Sequence, residues 1–391
     1  MSKSQIATGG IADDAVTADK TFGVARPNAK PLIINGNMKI AQRGTSTADV
    51  GGSNIFASCD RWKLAKEGSP SARFTQSQDT DVPTGEGFTS SLKMDCTTAA
   101  GSPDADDAIV IQQKIEAQDL QLLKYGTSNA EKVTLSFWVK ATKTGTNVVW
   151  IYQNDDNRSQ AQSYTVDSTN TWEKKVLVFN ADTTGVIDNN SGEGFRISWW
   201  LTAGTNFTSG TLSTAWESHT AANNAVGQVN NADSTSNNWY LTGVQLEVGE
   251  FSSTTLPPFQ FESFAENLAR CHRYCYVMGS ADNAENGGQF TVGSGLVRSS
   301  GSARFTDIVG SYPQPFRALP SVTQVGGDLA DLFCYKNDGT SADPTSISIG
   351  RNTIALRLTN NMGTSSGLTA GDATVQQIVE DDTDLVFEAE L

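Results

Sequence analysis

Four aromatic residues, Trp138, Tyr152, Trp200 and Trp216, are the side chains of this sequence best suited to chemistry, and that chemistry is sugar binding. A flat ring stacks on the apolar face of a sugar while nearby amides and carboxylates bond its hydroxyls. Spacing gives two of the four a direction. Val133, Leu135, Phe137 and Val139 alternate with Thr134, Ser136, Trp138 and Lys140. Phe195, Ile197, Trp199 and Leu201 alternate in the same way with Arg196, Ser198, Trp200 and Thr202. Alternation of this kind is a strand with one face toward a core. Trp138 and Trp200 therefore point away from the core faces of their own strands. The competing reading is that such a ring packs under a loop or at a subunit contact, and for any single Trp that is the commoner fate.

Other chemistries are poorly served. Hydrolysis by paired carboxylates needs two acids facing each other across a cleft. Asp104-Ala105-Asp106-Asp107 and Asp155-Asp156 instead sit in loop-like contexts, as solvated turns do. The two histidines, His219 and His272, lie near no nucleophile-elbow pattern, so a catalytic triad is not expected. Cys271, His272 and Cys275 make the one cluster with metal-ligand chemistry. On a helix, however, His272 is turned about 100° from the cysteines, and no second ligand pair lies at finger spacing. Small buried hydrophobes are the better reading of those cysteines. Gly192-Glu193-Gly194 precedes a strand rather than a helix and lacks the geometry of an anion site. The expectation is a protein that is not an enzyme.

The totals agree with a binding or structural role. The chain has 391 residues, enough for two or three domains, and 28 basic residues against 43 acidic ones give a net charge of -15. No basic patch of the kind nucleic-acid binders carry is present. Excess like charge favours solubility and discourages contact with anionic membranes. Hydrophobic residues make up 38%, charged residues only 18%, and there are 35 glycines, which suits a turn-rich β protein. No run approaches the ~20 apolar residues that a membrane helix needs. The opening MSKSQIATGG lacks the charged-then-apolar pattern of a signal peptide, so synthesis in a cytoplasm without export by that route is expected. Five cysteines, Cys59, Cys96, Cys271, Cys275 and Cys334, are odd in number and irregular in spacing, which argues for free thiols.

The elements that must position the aromatics are strands. They are expected at 31–40 (with an Asn-Gly interruption), 59–64, around Phe74, and at 92–96, 109–115, 133–139, 148–152, 172–179 and 195–201. A short helical turn over 116–125 ends at Gly126. The organising stretch is 237–276. Trp239 and Leu241 share one parity while Val244, Leu246 and Val248 share the other, so a bulge near Gly243 is expected. Pro257-Pro258 then stops pairing. Ser263 and Glu266 form a capping box before a helical pattern in which Phe264, Leu268, Cys271 and Cys275 share a face. The fold class is all-β: an antiparallel β-sandwich, or jelly roll, over 31–262, a linking helix over 263–279, and a second, smaller β-domain over 280–391. Its strands are expected at 289–292, 302–308, 321–325, 332–335, 346–349, 353–358 and 385–391. Residues 1–30 are polar with isolated Ile6, Ile11, Val16 and Phe22, and cannot build a core. They read equally as a disordered tail or as an arm that orders on a partner.

NGNMKIAQRG, CDRWKL, TLSFWVKATKTGT, YLTGVQLEVG and PFQFESFAENLARCHRYC, followed by YPQPFRALPSVTQ and a closing LVFEAEL, together resemble bacteriophage tail-fibre or virion-surface fibre proteins. The opening IATGGIADDAVTADK resembles segments that lead into such fibres. The resemblance implies a virion protein made in the host cytoplasm, with a first domain like a carbohydrate-binding module. Residues 1–30 would anchor it to other virion proteins of tail or capsid through Ile6, Ile11, Val16 and Phe22. It would bind a host surface glycan and associate as a homotrimer, which would add avidity to weak sugar contacts. By the same resemblance Asn35, Asn37 and Glu247 stand where such jelly rolls hold a structural calcium, the one cofactor to consider. Three oxygens fall short of the six to eight that calcium takes. The alternative function is a capsid or tail structural or decoration protein without receptor binding. A secreted glycan-active enzyme is a third reading.

Overall fold

The structure, a computed structural model, describes residues 30–279, 290–300, 303–325, 332–336, 341–342, 345–349, 353, 355–361, 367–370, 372–378 and 384–391. Ile6, Ile11, Val16 and Phe22 lie outside the described residues. The chain forms two compact units, Met1–Ser263 and Phe264–Leu391.

In the first unit the strands are β1 (Ser46–Val50), β2 (Ile55–Phe56), β3 (Lys63–Glu67), β4 (Arg73–Asp79), β5 (Ser91–Thr98), β6 (Ala108–Glu116), β7 (Val133–Ala141), β8 (Gly145–Gln153), β9 (Arg158–Val166), β10 (Glu173–Phe179), β11 (Glu193–Ala203), β12 (Glu217–Ser218) and β13 (Asn238–Val248). They make two antiparallel sheets, a six-stranded one in the order β1-β4-β5-β13-β7-β10 and a seven-stranded one in the order β12-β9-β8-β11-β6-β3-β2. This is the β-sandwich of jelly-roll type that the alternating pattern implies.

The sheets meet through their inward residues. Leu135, Phe137, Val139, Trp239 and Leu241 from one sheet, and Ile111, Ile151, Ile197 and Trp199 from the other, are all buried in a single core. Phe137 bridges the layers edge-on, with its ring centroid 5.6 Å from Trp199 and 5.1 Å from Tyr164. The last strand, β13, inserts between β5 and β7. Its pairing with β7 slips between Thr242 and Gln245, at the expected bulge, and Gly243 there has φ +61°. A left-handed residue of this kind is the ordinary place for glycine in a bulge. The expected helical turn is a 3-10 helix, Ala117–Leu123, and the left-handed residues that follow it are Lys124 and Gly126.

Several segments differ from expectation, and the strand expected at 59–64 begins only at Lys63, after a turn in which Arg61 has φ 73°. Residues 31–40 form no strand. Asn35 and Met38 have φ of 56° and 57°. The Asn35 amide nitrogen donates to the Ile40 and Asp60 carbonyls, and its Oδ1 accepts from the Ile40 amide. A side chain that satisfies nearby backbone competes directly with ladder pairing. The resulting loop docks on the bulge, where the Val244 amide donates to the Gly36 carbonyl at 2.9 Å. A Cβ at position 36 would lie 2.2 Å from the Val244 carbonyl oxygen. Gly36→Ala is accordingly expected to destabilise the unit by about 3 kcal/mol, the upper part of the usual overpacking range. Chemical denaturation should show this as a lower midpoint with unchanged slope. The short strands β1, β2 and β12 were not expected, and neither was β9, whose residues, RSQAQSYTV, are largely polar.

The second unit opens with helix α1 (Phe264–His272), with Asn267 and Cys271 buried. The helix is shorter than the expected 263–279. Residues Cys275–Gly279 form a strand that pairs with Asp384–Glu388, which also pairs with Ser321–Val325. The other sheet of this unit runs through Phe290–Ser300, Ala303–Ser311, Leu332–Lys336, Ser341–Ala342, Ser346–Ile349, Ala355–Asn361 and Ala373–Ile378. Cys271 and Cys275 are buried, and the His272 ring lies against Tyr276 rather than with the thiols. Tyr312, Phe316 and Phe387 pack together in the same core.

Candidate functional site

The outward face of the seven-stranded sheet carries a groove of about 540 Å³. Antiparallel pairing sets its floor row by row. Tyr152 lies opposite Arg196, and Arg196 opposite Lys114. In the next row Trp150 lies opposite Ser198, Ser198 opposite Gln112, and Gln112 opposite Lys63. Trp200 follows opposite Val110, and Val110 opposite Ala65. Because period 2 fixes the face, the inward partners in these strands, Ile151, Ile197, Trp199 and Ile111, are the core residues named above.

The outward face has its own small apolar cluster, in which Trp150 and Trp200 pack with Val110, Val148, Ala161 and Ala225. Phe207 and Leu212, from the long segment after β11, close over it. The amide of Val148 donates to Gln228 Oε1, and the amide of Val229 donates to the Thr146 carbonyl, so the segment is held against the start of β8.

One end of the groove is aromatic. Trp150 and Tyr152 stack at 5.3 Å and 22°, Trp200 meets Trp150 edge-on at 6.4 Å, and Phe207 lies 5.4 Å from Trp200. His219 packs on both Trp150 and Tyr152, at 5.6 and 5.4 Å. The other end is polar and basic. Glu193 accepts from Lys114 at 2.5 Å and from Arg196 Nε at 2.8 Å, and the Arg196 guanidinium lies 5.3 Å from the Tyr152 ring centre. Burial pushes the Tyr152 hydroxyl up against the opposing Arg196 cation, with Glu193 adding to the rise. The hydroxyl donates a hydrogen bond to Asn157 Oδ1 at 2.8 Å. Trp150 Nε1, Trp200 Nε1, Ser198 Oγ and Asn224 Oδ1 are buried in the lining with no hydrogen-bond partner among the described residues. Trp199 and Trp239 in the core also leave indole N–H groups unpaired. In the groove lining, as in the core, these atoms lie beneath the surface and out of contact with solvent.

Burial, helped by the Arg196 charge, holds His219 below its ordinary value near 6.5. The folded protein thus binds fewer protons than the unfolded chain as pH drops through that range. The stability tied to neutral His219 is complete above pH ~6.5 and is lost as pH falls toward the depressed folded value. Between pH 7 and 5 the melting temperature is expected to fall more steeply in the native protein than in His219→Gln. Parallel melting curves across pH would show that this imidazole is not desolvated.

Of the residues expected from sequence, Trp200 and Tyr152 come together in this groove. Trp138 lies on the opposite sheet, paired with Thr242 and Lys174, and lines a separate groove of about 480 Å³ with Phe88, Phe259 and Phe261. Trp216 stacks on Phe195 at 5.8 Å, meets Tyr125 edge-on, and donates Nε1 to the Asn180 carbonyl. It is part of the packing and does not line either groove. Asn35 and Asn37 are buried in the 31–40 loop, while Glu247 on β13 accepts from Gln245. Among the described residues no group of three or more His, Cys, Asp or Glu side chains is arranged to hold a metal ion. Sequence reasoning passed over Trp150, Arg196, His219 and Phe207. The parity of Trp150 with Tyr152 was a usable signal, masked by Val148, which shares that parity and reads as core.

No protein-family model matches the chain, and no curated protein matches it. Among solved structures the chain is similar to a domain of tailspike protein 4 of bacteriophage CBA120, described as enzymatically active, with 16% identity and a TM-score of 0.27 over 51% of this chain and 21% of the other. It is also similar to a family 4 carbohydrate-binding module, with 14% identity and a TM-score of 0.27 over 55% of this chain and 97% of that module. A family 11 carbohydrate-binding module of Clostridium thermocellum, in complex with a mixed-linked β-1,3-1,4 tetrasaccharide, is 11% identical with a TM-score of 0.27 over 53% and 96% of the two chains. The chain thus spans about a fifth of the tailspike domain and nearly the whole of the two modules.

Proposed function

We propose that this chain is a non-enzymatic glycan-binding protein of a virus particle, and that its sugar site is the groove on the seven-stranded sheet. One observation carries the reading. Trp150, Tyr152 and Trp200 line one end of a volume also lined by Gln112, Asn154, Ser198, Asn224 and Arg196. Sugars present apolar C–H faces with hydroxyls at their edges, and rings beside amide and hydroxyl groups match that pattern. Glu67 is the carboxylate in the groove lining, and nearby Glu193 is engaged by two cations. Binding of the intact chain to an array of bacterial surface glycans tests the reading. Specific retention of a subset supports it, and retention of none contradicts it.

The virion setting rests on the ordered set of sequence phrases described above. In this reading residues 1–30 attach the protein to tail or capsid proteins, a homotrimer multiplies weak sugar affinity, and the ligand is a host surface glycan. A chain lacking residues 1–30 should then remain a soluble oligomer that binds glycan yet is missing from particles. Retained incorporation would refute the anchor.

A further inference from the structure

We infer that the glycan taken by this groove is anionic, and that Arg196 receives a carboxylate carried by one of its sugars. The inference rests on the glycan reading and adds the substrate class. The chain as a whole is acidic, with a net charge of -15. Its groove has the opposite bias: Lys63, Lys66, Lys114 and Arg196 line it, against Glu67 alone. Glu193, behind Lys114 and Arg196, adds a second acid beside the groove. A locally positive cleft on a negative molecule concentrates anions at that cleft.

The geometry of Arg196 sharpens this. Its Nε is spent on Glu193 and its plane lies near Tyr152, so the side chain is fixed from two sides. Nη1 and Nη2 donate to no described residue, and the side chain is 29% exposed. A held guanidinium with its outer fork open is suited to two parallel hydrogen bonds from a carboxylate. Register places Arg196 directly beside Tyr152 on β8 and Lys114 on β6. Neighbouring strands lie about 4.8 Å apart. A pyranose held at the aromatic end of the groove has the next strand within reach of an equatorial carboxylate. That strand presents Arg196.

The test is titration calorimetry of the full chain with polygalacturonate, alginate and hyaluronate, each beside its carboxyl-reduced form, with dextran sulfate and dextran as further probes. The expected result is that at least one uronate polymer binds, that its reduced form binds about tenfold or more weakly, and that Arg196→Gln causes a loss of similar size, as expected for a charge-assisted hydrogen bond. Raising salt should weaken the uronate complex, and Arg196→Lys, which keeps the charge without the fork, should recover only part of the affinity. Melting temperatures of both variants separate binding from folding. Parent and reduced polymers that bind equally, with Trp200→Ala abolishing both, would overturn the anionic assignment and leave the glycan reading intact. Binding confined to dextran sulfate would overturn the carboxylate assignment. Absence of binding throughout would overturn both.

Discussion

Trp200→Ala is expected to weaken glycan binding about 30-fold, equivalent to about 2 kcal/mol, the lower edge of the range for a buried anchor residue. Trp200 is 4% exposed and stands between Trp150 and Phe207, so its loss removes floor and disturbs both neighbours. Trp138→Ala, on the opposite sheet, should leave affinity within twofold. Because a Trp-to-Ala change in a packed cluster also costs stability, affinity should be read well below the melting transition. Tyr152→Phe offers a milder companion: it keeps the stacked ring and removes the hydroxyl that binds Asn157. A Trp200→Ala protein that is folded and binds unchanged would move the site elsewhere.

Trp62→Ala is expected to destabilise the first unit by about 4 kcal/mol, within the range for removing a large buried aromatic. Trp62 is fully buried, its ring lies 5.5 Å from Trp199, and its Nε1 donates to the Asn35 carbonyl at 3.0 Å. It therefore joins the inter-sheet core to the 31–40 loop. For a unit of this size that loss lowers the melting temperature by roughly 8–16 °C. Differential scanning calorimetry reads it directly. A shift of only a degree or two would mean that the loop and core are not coupled through this ring. Binding measured below the lowered transition should be near native, since Trp62 does not line the groove.

The parts of the fold that showed in the sequence are those where one force dominates. Strict alternation at 133–139 and 195–201 placed β7 and β11, because each has one face in the core and one outside it. The parity change across Gly243 gave the bulge, since a one-residue insertion is the simplest way to keep both halves facing inward. Residues 31–40 failed because the Asn35 side chain competes for backbone groups that a strand would use, an effect invisible to hydropathy. β9 failed because it lies near the edge of its sheet, next to short β12, and carries mainly polar residues.

The site was half visible for a related reason. Parity could say that Trp200 leaves its core face, but not which strand lies beside it. That Arg196 pairs with Tyr152 and Ser198 with Trp150 is a fact of sheet order, and only the fold supplies it. His219 and Phe207 come from the long polar segment after β11, where no periodicity exists to interpret. Trp138 and Trp216 carried equally good ring chemistry. They part from the groove because β7 belongs to the other sheet and Trp216 turns in against Phe195.

The most direct test of the central claim is a crystal structure of the full chain with an oligosaccharide it retains on an array. The account predicts sugar density beside Trp150, Tyr152 and Trp200 on the seven-stranded sheet, with ring hydroxyls or a carboxylate within bonding distance of Asn154 or Arg196. Density in the groove beside Trp138, or on the second unit, with the seven-stranded face bare, would contradict it.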